Sequence, residues 1–413
     1  MHLIKDLKAI EILDSRGNWT IETTLELTEG FRSKAQVPAG ASVGEYEKKL
    51  IPAETAVATV NEILAPRLKK TEFENLAAFD KFLIDFDSTS DRSNLGSNTI
   101  LSLSISFCKA LALKESLPLY RFIHSIFGGS SDKFFIPQPL FNLVNGGAHA
   151  KNDLDFQEFI FIPHPKGNFR TQLETAVNVF HTLGSFLEAK GFSTELGDEG
   201  GYAPHHISHK GVLNLIMEAS KANLLKPVQE YSLGLDVAAS TLVLGDLYNF
   251  RREGIKLSLS DLTNLYSEIV SNYPIIYLED PFAQDDFKSF GALKDILKNK
   301  VEVVGDDLTT TNQDRVKQAI KESSISSVII KPNQIGSVSE TLETAGLALK
   351  NNISLIASHR SGETEDTFIA DLAVGIGAKY IKAGAPARGE RVAKYNRILE
   401  IEQELSESVH EIA

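Results

Sequence analysis

Six apolar runs in the second half of the chain each end in an ionisable side chain, and their spacing constrains the fold more than any other feature. Leu233 to Asp236, Ile275 to Glu279 and Val301 to Asp306 end in acids; Val328 to Lys331, Ile353 to His359 and Arg360, and Tyr380 to Lys382 end in cations or their neighbours. The steps from Asp306 to Lys331, on to Arg360 and on to Lys382 are 25, 29 and 22 residues, about one strand plus one helix each. Parallel strands covered on both faces read as continuous apolar runs. A repeated strand-helix unit that closes into a (β/α)8 barrel turns all its strand C-termini toward one shared site. Three carboxylates and several cations are therefore expected to converge. Any one of these termini alone would read as a charge turning into solvent. Six in series, with both signs present, favour a site but do not name a reaction.

The chain has 413 residues, which suits two domains, one of them a large barrel. Its 42% hydrophobic content supplies real cores, and its formal net charge of −13 argues against nucleic acid as the main ligand, because a phosphate backbone needs a basic surface. A small anionic ligand needs only a local cationic pocket and stays allowed. The single cysteine, Cys108, excludes an internal disulfide and fits a reducing compartment; its apolar helical setting makes it a buried structural thiol. With no signal-peptide core at Met1 to Asp6 and no apolar run long enough to span a bilayer, a cytoplasmic protein without membrane attachment is expected.

The first part differs in pattern. Alternation over Thr20 to Leu27 and Phe31 to Val37, with a turn at Glu29-Gly30, predicts antiparallel strands. Helices are predicted over Ala53 to Leu64, stopped by Pro66, over Leu76 to Phe86, and over Asn98 to Lys114, stopped by Pro118. Strands followed by helices mark an α+β domain, 1–129, with a linker at Phe127 to Asp132 and the barrel in 130–413. Four loops carry chemistry. The small-residue loop Val37 to Gly44 offers backbone N–H groups and the Ser42 hydroxyl. Asn145-Gly146-Gly147-Ala148-His149 and Gly197-Asp198-Glu199-Gly200-Gly201 set a His and a Glu among glycines, where backbone approaches a ligand closely. Ser358 to Asp366 combines Arg, Ser and small residues, a suitable phosphate cradle.

Through these residues the chain resembles enolase, the phosphopyruvate hydratase family of glycolysis and gluconeogenesis, from Leu13-Asp14-Ser15-Arg16 to Ala393-Lys394-Tyr395-Asn396. The most specific pieces are Gly197 to Gly201, Leu235 to Ser240, Gly305 to Leu308, Asn333 to Gly336 and Ser358 to Asp366, in this order and spacing. The resemblance implies an N-terminal α+β capping domain on a barrel opening ββαα before six βα units. It implies the Mg2+-dependent, reversible dehydration of 2-phospho-D-glycerate to phosphoenolpyruvate through an aci-carboxylate, with two Mg2+ per active site. It further implies a homodimer, in some members an octamer, cytoplasmic and in some members also displayed at the cell surface.

By motif, Asp236, Glu279 and Asp306 resemble the carboxylate ligands of the tightly held Mg2+, and Ser42 the lid residue that helps hold the second. Lys331 resembles the general base and Glu199 the general acid, supported by Glu158. His149, Gln157, His359 and Lys382 resemble substrate contacts, and Arg360 with Ser361 the phosphate binders. On this reading Lys331 is expected to have a depressed pKa from neighbouring cations, and Glu199 to be protonated. The chain departs from the family at Trp19, at Ala39 and Val43 of the lid, at Gly389 and in its short C-terminal tail; none of these removes an expected catalytic group. Two other readings remain open here: a relative acting on a different α-hydroxy acid, which would lack the phosphate cradle, and a non-catalytic binding protein, in which the site would decay.

Overall fold

The computed structural model describes residues 1–40, 44–129, 133–164, 167–298 and 300–410. The lid residues Ser42 and Val43 and the linker residues 130–132 lie outside them. β1 (His2–Leu13), β2 (Trp19–Leu27), β3 (Arg32–Gln36) and β4 (Glu72–Phe73) form an antiparallel sheet in the order β3-β2-β1-β4. The alternation that predicts β2 and β3 is broken in β1. Its pairing with β2 slips between Ile4 and Asp6, so Ile4 and then Leu7 and Ala9 are buried in opposite phase.

Pro66 does not stop its helix. The helix Ala53–Ala58 widens into a π segment, Thr59–Leu64, and continues as Ala65–Leu68 with Pro66 in the first turn. The wider turn accommodates a residue that has no N–H to donate. Helix Leu76–Asp87 and the almost wholly buried helix Ser97–Lys114 complete the layer facing the barrel. The burial of Cys108 in that second helix pushes its thiol far up the scale, as expected for an inert side chain.

The second domain is a closed barrel. Its strands are β5 (Gln138–Asn145), β6 (Glu158–Pro163) and β7 (Tyr231–Asp236), with helices Phe169–Ala189 and His209–Ala222 between β6 and β7. A short meander, β8 (Val243–Leu244), β9 (Leu247–Phe250) and β10 (Ile255–Leu257), follows β7. Then come β11 (Ile275–Glu279), β12 (Glu302–Gly305), β13 (Ser327–Ile330), β14 (Ser354–Ser358) and β15 (Tyr380–Lys382). The ring order is β11-β12-β13-β14-β15-β5-β6-β7, all neighbours parallel except β6, which runs against both β5 and β7. This is the ββαα(βα)6 order. Leu140, Ile160, Ile162, Tyr277, Val304, Ile329, Ile356 and Tyr380 fill the ring with a plug of their own, so the barrel is a packed core whose site sits at one end.

The domains are joined by polar contacts close to that end. Ala39 and Gly362 exchange two backbone hydrogen bonds of 2.8 Å. Asp366 accepts from the Gln36 amide at 2.9 Å and from Lys109 at 2.7 Å. Asp80, fully buried in the helix Leu76–Asp87, accepts from the backbone N–H of Ser339 at 2.9 Å, while its Oδ1 has no hydrogen-bond partner among the described residues. Burial drives its pKa from 3.8 to about 6.

A raised carboxylate contributes its stability below the unfolded pKa and loses it as pH rises through the folded value. The Asp80→Asn variant should therefore match the wild type near pH 4. It should gain thermal stability relative to the wild type as pH rises to 7, up to about 3 kcal/mol, and show no further gain above. Thermal unfolding at a series of pH values checks this; a gain independent of pH would assign Asp80 no buried charge.

Candidate active site

The C-terminal ends of the parallel strands and the N-terminal end of β6 open on one cleft. Because β6 runs in the reverse sense, Glu158 at its start pairs with Asp236 at the end of β7. The cleft is lined by His149, Gln157, Glu158, Glu199, Asp236, Asp306, Lys331, His359, Arg360, Ser361 and Lys382. Glu279 reaches it from behind, bonded to Lys382 at 2.7 Å. Apart from Ser42, which lies outside the described residues, the structure brings together every side chain that the sequence singles out. It adds Gly40, Glu47, Ala238, Asp280, Asp307 and Ser358.

The Lys382 ammonium, 2% exposed, is the hub of the acidic half, 3.1 Å from Glu158 and Asp236 and 2.7 Å from Glu279. Burial alone would lower its pKa, and the three carboxylates overrule burial and hold it well above the ordinary range. Glu279 in turn is pushed up to about 7 by burial and by the charge of Asp236. Lys331 is ion-paired to Asp306, whose other oxygen accepts from Gln334 at 2.9 Å. Burial, Arg360 and Lys382 push Lys331 down as the sequence leads one to expect, but Asp306 outweighs them and the ammonium is held above its ordinary value.

The acid side also differs from expectation. Among the described residues His149, Glu158 and Glu199 form one tight group, with His149 Nδ1 3.4 Å from Glu199 and 3.7 Å from Glu158. Burial and the neighbouring Glu199 push Glu158 well up. Burial also works to raise Glu199, but His149, His359 and Arg391 outweigh it, and a hydrogen bond of 2.8 Å from Asn142 leaves the carboxylate form solvated. Glu158 is thus the carboxyl of the pair pushed toward its neutral form and Glu199 the one pushed toward its ionised form.

Three hard-oxygen side chains at the ends of the adjacent strands β7, β11 and β12 have the donor chemistry for Mg2+. Buried Glu279 Oε1 has no hydrogen-bond partner among the described residues, as a ligand atom would. The tightest acidic group is different, comprising Asp280, Asp306 and Asp307 with oxygens within 4.8 Å of one another. Asp280 spends both its oxygens on the backbone, accepting from Asp306 N at 3.0 Å and Asp307 N at 2.7 Å. Its place beside Glu279 in the sequence gave no sign of that duty.

Arg360 is equally committed. Glu47 engages it with two bonds of 2.8 and 3.2 Å, and Asn333 accepts a third at 3.2 Å. Glu47 belongs to the segment after the lid, which Tyr46 fastens by lying on the Arg315 guanidinium, 3.7 Å from the ring centre. Nothing in the sequence of Glu45-Tyr46-Glu47-Lys48 marks Glu47 as a partner of Arg360; its side chain is buried where the two domains meet.

Removing the hub cation leaves three buried carboxylates unbalanced, a change of the kind that costs about 3–5 kcal/mol. Lys382→Met should therefore lower the thermal midpoint more at pH 8 than at pH 5.5, where Glu279 and its neighbours can take up protons. Calorimetry at the two pH values checks this; an equal drop at both would reduce Lys382 to packing.

Two family models cover the chain: the enolase C-terminal TIM barrel domain matches residues 133–411 and the enolase N-terminal domain residues 4–123. Enolase 1 of Chlorobaculum tepidum is 42% identical over 417 residues, spanning 98% of this chain and 96% of its own. Enolase of Natranaerobius thermophilus is 41% identical over 415 residues, with the same coverage of 98% and 96%. Both models and both relatives cover the barrel that carries this cleft, and the chain belongs to the enolase family of lyases.

Proposed function

We propose that the cleft interconverts 2-phospho-D-glycerate and phosphoenolpyruvate with Lys331 as the base at C2 and the Glu158–Glu199 pair as the acid at the C3 hydroxyl. The observation that carries this division is the ring order. Lys331 follows β13 and Glu158 begins β6, four strands apart in a ring of eight, so base and acid face each other across the substrate space. That opposition suits an anti elimination, in which the proton and the hydroxide leave from opposite faces.

In its neutral form, which a cation held by Asp306 would favour by drawing that carboxylate off the ammonium, Lys331 takes the C2 proton, the electron pair of that C–H bond becomes the C2–C3 double bond, and the C3–O bond breaks. Hydroxide is a poor leaving group and departs as water with the proton of the acid pair. His149, 3.4 Å from Glu199 and 3.7 Å from Glu158, lies where it can pass a proton between the two carboxylates. Lys382 places a fixed positive charge where the substrate carboxylate gains negative charge, and Arg360 with Ser361 holds the phosphoryl group. Two Mg2+ held by Asp236, Glu279 and Asp306, and by Ser42, would supply Lewis-acid stabilisation of the substrate carboxylate. A homodimeric, cytoplasmic enzyme is part of the same proposal, supported by the family, the single buried cysteine and the acidic surface. Among the described residues no helix is long and apolar enough to cross a membrane. The phosphate cradle speaks against a substrate without a phosphoryl group, and the retained acid–base groups against a purely binding role.

Exchange of the C2 proton with solvent separates the roles. Lys331→Ala should lose exchange, whereas Glu199→Gln should keep exchange and lose formation of the enol product, followed by its ultraviolet absorbance. Loss of exchange in both would place the two residues in one step. A second prediction follows from the Glu47–Arg360 pair, with which an incoming phosphoryl group has to compete. Glu47→Gln should bind inorganic phosphate about tenfold more tightly than the wild type, measured by titration calorimetry. Weaker binding would make Glu47 a support for Arg360 instead of its competitor.

A further inference from the structure

Arg391 is a fully buried arginine, 0% exposed, on the last helix, Gly389–His410, and none of the steps above uses it. Its guanidinium spans the two loops that carry the reaction. Nη1 lies 2.6 Å from His359 Nδ1 and also donates to the carbonyl of Arg360. Nη2 donates to the carbonyls of Ser361 at 2.6 Å and Asp198 at 3.1 Å, and reaches Ser15 Oγ of the N-terminal domain at 3.4 Å. One cation thus fastens the phosphate loop to the acid loop.

We infer that Arg391 is a positioning residue that fixes His359 as the neutral tautomer with its proton on Nε2, so that the ring faces Glu199 as a hydrogen-bond donor. A guanidinium only donates and does not lose its proton, so a ring nitrogen at hydrogen-bond distance from it has to be the one with the free lone pair. The remaining proton sits on Nε2. That atom is buried and faces Glu199 Oε1 at 3.4 Å, a separation at which no hydrogen bond is closed in this structure.

The charged groups that face the ring act in both directions. Glu199 favours imidazolium, whereas burial, Arg391, Lys382 and Lys331 oppose it and prevail. A neutral donor can hold a carboxylate, or the oxygen of a departing hydroxyl group, without competing for its proton. If Arg391 served only to cap the loop carbonyls, either tautomer of His359 would do, which is the distinction an experiment can draw.

The test is nitrogen NMR of the full-length protein labelled with 15N-histidine at neutral pH, with the His359 signals assigned by their loss in His359→Gln. It needs no turnover, so it stands apart from the acid–base assignment proposed above. In the wild type, Nδ1 should resonate as an unprotonated imine nitrogen and Nε2 as a protonated one. Arg391→Lys, which keeps one donor, should preserve that pattern, and Arg391→Met should lose it. A wild-type signal showing the proton on Nδ1, or an imidazolium, overturns the inference, as does an Nε2–H pattern that survives unchanged in Arg391→Met. The wild-type spectrum decides even where Arg391→Met does not fold.

Discussion

The site depends on a buried ammonium placed among carboxylates that could not otherwise be buried. Glu158, Asp236 and Glu279 come from three neighbouring strands, and Lys382 from a strand across the ring reaches all three. Each uncompensated charge in such a place would cost several kcal/mol, so an acidic ring end and its central lysine are only stable together. The same requirement gives the site its readiness for cations: carboxylates that tolerate one fixed positive charge and still leave Glu279 Oε1 without a hydrogen-bond partner have capacity for more. Structure and chemistry are here two readings of one charge balance.

The N-terminal domain supplies part of that balance rather than a separate cover. Ala39 and Gly362 join in a two-bond bridge, Asp366 is held by Lys109 and Gln36, and Glu47 closes on Arg360. Gly362 has to be glycine for this, since a Cβ there would come within 2.5 Å of Asp14 Oδ2 and 2.7 Å of the Ala39 carbonyl oxygen. The loop from Arg360 to Gly362 therefore carries the joint between domains and a buried guanidinium of the cleft within three residues.

Most of the parallel strands were readable because an apolar run ends where a charge begins: the sequence bounds of Ile275 to Glu279 and Tyr380 to Lys382 are those of β11 and β15. The antiparallel β6 shows why the same rule is incomplete. Its acid in the cleft, Glu158, precedes the apolar run Phe159 to Pro163, so a reading that looks at run ends passes over it, and only the family resemblance supplied it. Residues whose partners are backbone atoms were beyond reach for a different reason. Asp280 bonds two amides, and Arg391 serves four oxygens and an imidazole; neither partnership leaves a trace in spacing. Arg391 and Lys394, both fully buried, sit in a helix whose polar sequence looks solvent-facing. Glu47 was hidden in the same way, because its burial comes from the meeting of two domains.

The strand exits show how the chain keeps its acids turned inward. Ala238, Asp280 and Thr310 with Thr311 follow the ends of β7, β11 and β12, and all have left-handed backbone, with φ of 47°, 41°, 45° and 52°. None is glycine, so each costs roughly 1–2 kcal/mol. Continuing the strand would carry the next side chain out of the ring, whereas a left-handed step folds the backbone sharply away and leaves the preceding carboxylate at the rim. Local bonds offset the cost. Asp236 accepts from Ala238 N at 3.0 Å, Asp280 accepts from the amides of Asp306 and Asp307, and the Asp306 carbonyl accepts from Thr309 N at 3.0 Å and Thr310 N at 2.7 Å. The strained residues thus lie near Asp236, Glu279 and Asp306, and the hydrogen bonds of Asp236, Asp280 and Asp306 hold the strain in place. Softening one exit, by placing glycine at Ala238 for instance, would relieve the backbone and free Asp236 at the same time, so stability gained there would be gained at the expense of the geometry of the site.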